Sequence, residues 1–130
     1  MRIYAMLTDN KENLDHYLKH GFYKTEKLNV RSFKFYADGA LGSRGACLLK
    51  PYKDKPQQGF LLSSPDYFDS VAVLMNENGF QMNTHAIGDS AVRQLLMTYS
   101  KYFPNHCLSD RKSTRLNSSH IQKSRMPSSA

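Results

Sequence analysis

The chain has 130 residues, a formal charge of +7, 40% hydrophobic and 12% aromatic content. That is enough for one small domain with a modest core, and it excludes a chain disordered throughout. No run of about 18 apolar residues occurs, which excludes a transmembrane helix, and MRIYAMLTDN carries too short an apolar run for a signal peptide. The charge is uneven. Asp110–Ala130 holds Arg111, Lys112, Arg115, Lys123 and Arg125 against Asp110 alone, so any nucleic-acid argument from basicity depends mostly on that tail. Cys47 and Cys107 lack ligand spacing and read as two free thiols in a reducing compartment, cytoplasmic by default.

Taken in order, Arg2–Leu7 reads as a mixed strand. Asp9 starts a helix, with Glu12 three residues on as an acidic capping box, and Gly21 stops it. Leu14, Tyr17 and Leu18 form its buried stripe. Phe22–Asn29 is a charged connector with room for a short extended piece. Val30–Ala37 is a strand. Ser32, Lys34 and Tyr36 share one face; Phe33, Phe35 and Ala37 share the other. Asp38–Ser63, with three glycines in its first eight residues, is a long irregular loop; loops of that length are usually functional or floppy, and a place after a strand favours functional. Ser64-Pro65-Asp66 is a cap, a first-turn proline and an acid at the positive end of a helix dipole. Phe68, Val71, Ala72 and Met75 supply that helix's apolar stripe, and Gly79 ends it. Phe80–His85 is a strand with Gln81, Asn83 and His85 on one face. A last helix starts at Asp89 or Ser90, turns Val92, Leu95, Leu96 and Tyr99 inward, and stops at Pro104. Strand, helix, strand, long loop, helix, strand, helix predicts parallel strands joined by crossovers.

Two stretches carry the chemistry. SFKFYADGALGSRG, residues 32–45, and FQMNTHAIGD, residues 80–89, each run a polar strand face into a loop. Side chains from several strand ends converge in this way at the C-terminal rim of a parallel barrel. On spacing alone, a snorkelling lysine and a structural histidine are the commoner readings of Lys34 and His85. GALGSRG matches neither glycine-rich phosphate fingerprint, and no helix start follows it closely.

FKFYADGALGSRGACLL together with FQMNTHAIGDSAV resembles the YtcJ-like (amidohydrolase-3) group of metal-dependent amidohydrolases, from about Met1 to about Ser100. The resemblance implies an α/β fold: part of a (β/α)8 TIM barrel, about three parallel strands with intervening helices. It implies hydrolysis of a C–N, amide-like bond in a small molecule by metal-activated water. His85 then ligates a divalent metal, with zinc expected, and Asp89 is the nearest acceptor to orient its ring. Lys34 is the bridging ligand of a binuclear centre once carboxylated by carbon dioxide, which requires a neutral amine. Asp38 and Arg44 are candidates to meet substrate, or each other, across the loop.

The family's other ligands do not occur. The histidines are His16, His20, His85, His106 and His120, with no HxH pair and no later-strand histidine in its usual context. The chain therefore reads as a truncated middle piece, inactive alone. From Asp110 the sequence changes character. DRKSTRLNSSH and SRMPSSA resemble the conceptual translation of a sequencing adapter, so residues 1–109 are expected to be barrel and 110–130 a disordered, non-native tail. On that expectation no nucleic acid and no membrane is a partner. The rival is a small basic nucleic-acid-binding module using the tail as an arm.

Overall fold

The computed structural model describes residues 1–103. Its elements are β1 (Ile3–Thr8), α1 (Lys11–His20), β2 (Tyr23–Lys24), β3 (Leu28–Tyr36), α2 (Pro65–Glu77), β4 (Gln81–His85) and α3 (Asp89–Tyr102). The fold is mixed α/β. β3 is the central strand, with β1 and β4 parallel to it and β2 antiparallel. β1 lies along Leu28–Lys34, so β2, opposite Asn29 and Val30, and β4, opposite Ser32–Tyr36, share the other edge. The antiparallel β2 departs from an all-parallel expectation. A two-residue strand has too little pattern to read from sequence.

The helices begin where local chemistry satisfies their free N–H groups. At α2 the Ser64 side chain accepts from Tyr67 N, and Pro65 occupies the first turn, where its missing N–H costs nothing. At α1 the cap is Asn10, whose Oδ1 accepts from Asn13 N at 2.8 Å. Asp9, the expected cap, instead accepts from Tyr67 Oη at 2.9 Å and ties the β1–α1 turn to α2. Gly21, at φ 79°, closes α1. Leu14, Tyr17 and Leu18 do turn toward the core, but they are only partly covered.

The core lies between one face of the sheet and α2 and α3. Phe33, Phe35, Phe68 and Met75 are fully buried, with Met82, Ala91 and Leu95 beside them. The α2 stripe of Phe68, Val71, Ala72 and Met75 is the expected one. The α3 stripe is the expected one in part: Leu95 is buried and Val92 and Tyr99 pack against the core, but Leu96 is 61% exposed, and Ala91 and Thr98 are buried as well. On the inward side Thr98 Oγ1 donates to Asp69 of α2, which also accepts from Lys101 Nζ and Tyr102 Oη. Replacing a buried ring with alanine costs about 3–5 kcal/mol, against about 1 for losing a helix cap. The phenylalanine layer therefore fixes the sheet, and the caps trim its ends. Among the described residues no helix is long and apolar enough to cross a membrane. Pro104 and the tail from Asp110 lie outside the described residues.

Candidate functional site

The β3–β4 register pairs Ser32 with Gln81, Lys34 with Asn83, and Tyr36 with His85. Paired residues of parallel strands point to the same side, so all six share the face opposite the phenylalanines. β1 adds Met6, opposite Ser32, and Thr8, opposite Lys34. Lys34 and His85 therefore lean from adjacent parallel strands toward one side. Tyr36 stands against both: its ring centre is 5.3 Å from Lys34 Nζ and 5.6 Å from the His85 ring. Partial burial pushes the Lys34 amine below its ordinary value of 10.5.

Beneath these groups the face is polar and dry. Ser32 is 0% and Asn83 8% exposed. Ser32 Oγ, Asn83 Oδ1 and Asn29 Oδ1 are buried with no hydrogen-bond partner.

Asp38 sits just beyond β3 and is 1% exposed. Its Oδ2 accepts from Cys47 N and Gly88 N, both at 2.8 Å, and its Oδ1 from Ile87 N at 2.9 Å. One carboxylate thus joins the loop after β3 to the segment that follows His85. The close approach continues at Gly88, where an added Cβ would lie 1.9 Å from the Cys47 carbonyl oxygen. That oxygen accepts from Ser90 N and Ala91 N at the start of α3. Asp89 Oδ1 accepts from Leu49 N at 2.8 Å and from Ser90 N. The Asp89 carboxylate is thus engaged with the long loop. Arg44, at φ 61°, pairs with Asp54 through Nε at 2.9 Å and through Nη2, all within the same loop. The N–H groups of Gly39, Arg44, Gly45 and Ala46 are bound to carbonyls of residues 40–45, so these four are engaged within the loop.

The structure therefore brings Lys34 and His85 to one face. It places Asp38 and Asp89 among backbone amides, and Arg44 in an ion pair at the loop. Tyr36 and Asn83 were not singled out from sequence. Alternation already set Tyr36 on the lysine's face, but its contact with His85 needed the register. Among the described residues no three His, Cys, Asp or Glu side chains are grouped to hold a metal ion.

The model of the amidohydrolase family matches residues 1–124, and the chain belongs to that family. It is 35% identical over 81 residues to YtcJ of Bacillus subtilis (strain 168), a protein named as an amidohydrolase; the match covers 62% of this chain and 15% of that one. It is 32% identical over 87 residues to LONG AFTER FAR-RED 3 of Arabidopsis thaliana, covering 66% of this chain and 15% of that one. Two crystal structures of uncharacterised metal-dependent hydrolases superpose on it. The Pyrococcus horikoshii OT3 protein gives a TM-score of 0.71 at 29% identity, over 78% of this chain and 21% of its own. The Pyrococcus furiosus protein gives 0.72 at 31% identity, over 79% and 22%. The chain thus spans about 15% of the length of the curated relatives it matches.

Proposed function

We propose that this chain is a middle section of a (β/α)8 metal-dependent hydrolase, roughly its third to fifth strands, and that the parent cleaves a C–N bond in an amide-like small molecule. The observation that carries the reading is the pairing of Lys34 and His85 across one ring, Tyr36, at the C-terminal ends of β3 and β4. In parallel barrels reactive side chains lie at those ends.

The donor chemistry fits a divalent ion. An imidazole nitrogen and an anionic oxygen both suit zinc, which is the expected metal. His85 would hold it through a ring nitrogen. Lys34 would hold it as a carbamate: the neutral amine nitrogen bonds the carbon of carbon dioxide, one proton leaves, and a carboxylate remains. The lowered amine value favours the neutral reactant. A bound divalent ion supplies a water that loses its proton near neutral pH. Asp38 acts by holding the segment after His85 in place, and Asp89 acts by anchoring Leu49. Arg44, paired with Asp54 at the loop, is the candidate to meet substrate.

Two donors fall short of the three protein ligands that a catalytic zinc takes beside its water, so the chain alone is expected to be inactive. The purified chain, loaded with zinc, is assayed on N-acyl and N-formyl amines. No turnover above a metal-only blank is expected, and turnover above it overturns the reading that the site is incomplete. The stretch from Asp110 is proposed to contribute nothing to this chemistry.

A further inference from the structure

The outward side of α1 carries two histidines that the proposed hydrolytic site does not use. His16 and His20 are spaced i, i+4 and stand one above the other. Leu14, Tyr17 and Leu18 hold the opposite side of the helix against the core, and both histidines are exposed. Their rings stack with centroids 4.5 Å apart and planes 30° from parallel. The His16 ring also meets Tyr17 edge-on at 5.0 Å. His20 Nδ1 lies 2.8 Å from the His16 carbonyl oxygen. A carbonyl only accepts, so in the neutral ring the proton is on Nδ1 and the lone pair on Nε2. Metal-ligating histidines adopt the same arrangement: one nitrogen donates to a carbonyl and the other is left free for the ion.

We propose that His16 and His20 form a two-imidazole site for a borderline divalent transition-metal ion, with water completing its coordination. The ligand type selects Cu2+ over Ni2+ and Zn2+ in the usual order, and it discriminates against Mg2+ and Ca2+, which require oxygen donors. Two side chains make an exchangeable site, unlike a closed four-ligand one. The ion bridges successive turns and so stabilises the C-terminal half of α1. Acid releases it, because a protonated imidazole cannot ligate.

The test is protection of histidines in the full, dilute chain from carbethoxylation, read residue by residue by peptide mass spectrometry. Zn2+ is expected to protect His16 and His20 in parallel, and Mg2+ to protect neither. His20→Gln is expected to weaken protection of His16 by about tenfold or more, at least the effect of losing an outer-shell partner. His16→Gln does the same for His20. His85→Gln leaves both unchanged, which separates this site from the Lys34–His85 centre. Circular dichroism of the two glutamine variants checks that α1 persists; if it does not, parallel protection in the unaltered chain decides. Modification of His16 that persists at saturating Zn2+, or protection that survives His20→Gln, overturns the proposal.

Discussion

At the scale of single residues, the strongest local constraint is Asp38. Three backbone N–H groups from two segments end on one buried carboxylate. Removing it leaves three donors without a partner, and hydrogen bonds to a charged group count for more than neutral ones. Asp38→Ala is expected to cost on the order of 3 kcal/mol, read as a lower urea midpoint in dilute solution. Arg44→Ala is expected to change that midpoint little, because its pair with Asp54 lies in solvent. Gly88→Ala drives a Cβ into the Cys47 carbonyl and is expected to destabilise strongly, whereas Gly42→Ala meets nothing and is expected to be neutral. Two phenols add a pH signature. Burial and the bond to Asp9 push Tyr67 up to about 12, and burial pushes Tyr99 to about 12 beneath β4. A raised value means that the folded state holds the proton longer, so this stability is complete below the ordinary value of 10.0 and lost as pH rises toward 12. Phenolate absorbance is expected to show a late alkaline component that coincides with unfolding; Tyr67→Phe and Tyr99→Phe remove it. Lys34 works in the opposite sense. Its amine loses the proton earlier when folded, so its contribution to stability rises with pH across the window that ends at 10.5.

At the scale of elements, α2 was fully legible. Ser64 and Pro65 set its start and the 3.6-residue period set its buried face, because both signals are local. The two polar strand faces were legible for the same reason, since alternation needs no partner. α3 shows the limit. Leu96 fits the periodic stripe as well as Thr98 does, yet Thr98 turns inward, where it bonds Asp69 of α2. At α1, Asp9 and Asn10 are both good caps, and the contact of Asp9 with Tyr67, 58 residues away, settles the choice. Asn10→Ala is accordingly expected to lower α1 stability by about 1 kcal/mol, visible as faster amide exchange at Asn13. The candidate site was half legible. Lys34 and His85 were found by pattern and resemblance, but the loop contacts of Asp38 and Asp89 depend on how residues 38–63 cross the start of α3, and no period encodes that.

At the scale of the whole molecule, the described fold presents apolar side chains on two flanks. Ile3, Tyr4 and Met6 are exposed on β1, and Ile87, Leu96 and Met97 around α3. Among the described residues β1 and β4 each have β3 as their strand neighbour, which leaves each with an outer edge. The chain alone is therefore expected to self-associate on concentrating, seen as a falling monomer fraction in sedimentation; a concentrated, cooperatively melting monomer contradicts this. Deleting residues 110–130 is expected to leave the helical signal unchanged; salt-dependent nucleic-acid binding that disappears with that deletion favours the basic-module alternative. The central claim, that Lys34 and His85 serve one metal centre of a hydrolase, is tested most directly in a full-length protein carrying this segment. Its bound divalent metal and amide hydrolysis are measured beside those of Lys34→Ala and His85→Ala. Both variants are expected to keep the fold and to lose metal and turnover together; a variant that retains its metal and its rate contradicts the account.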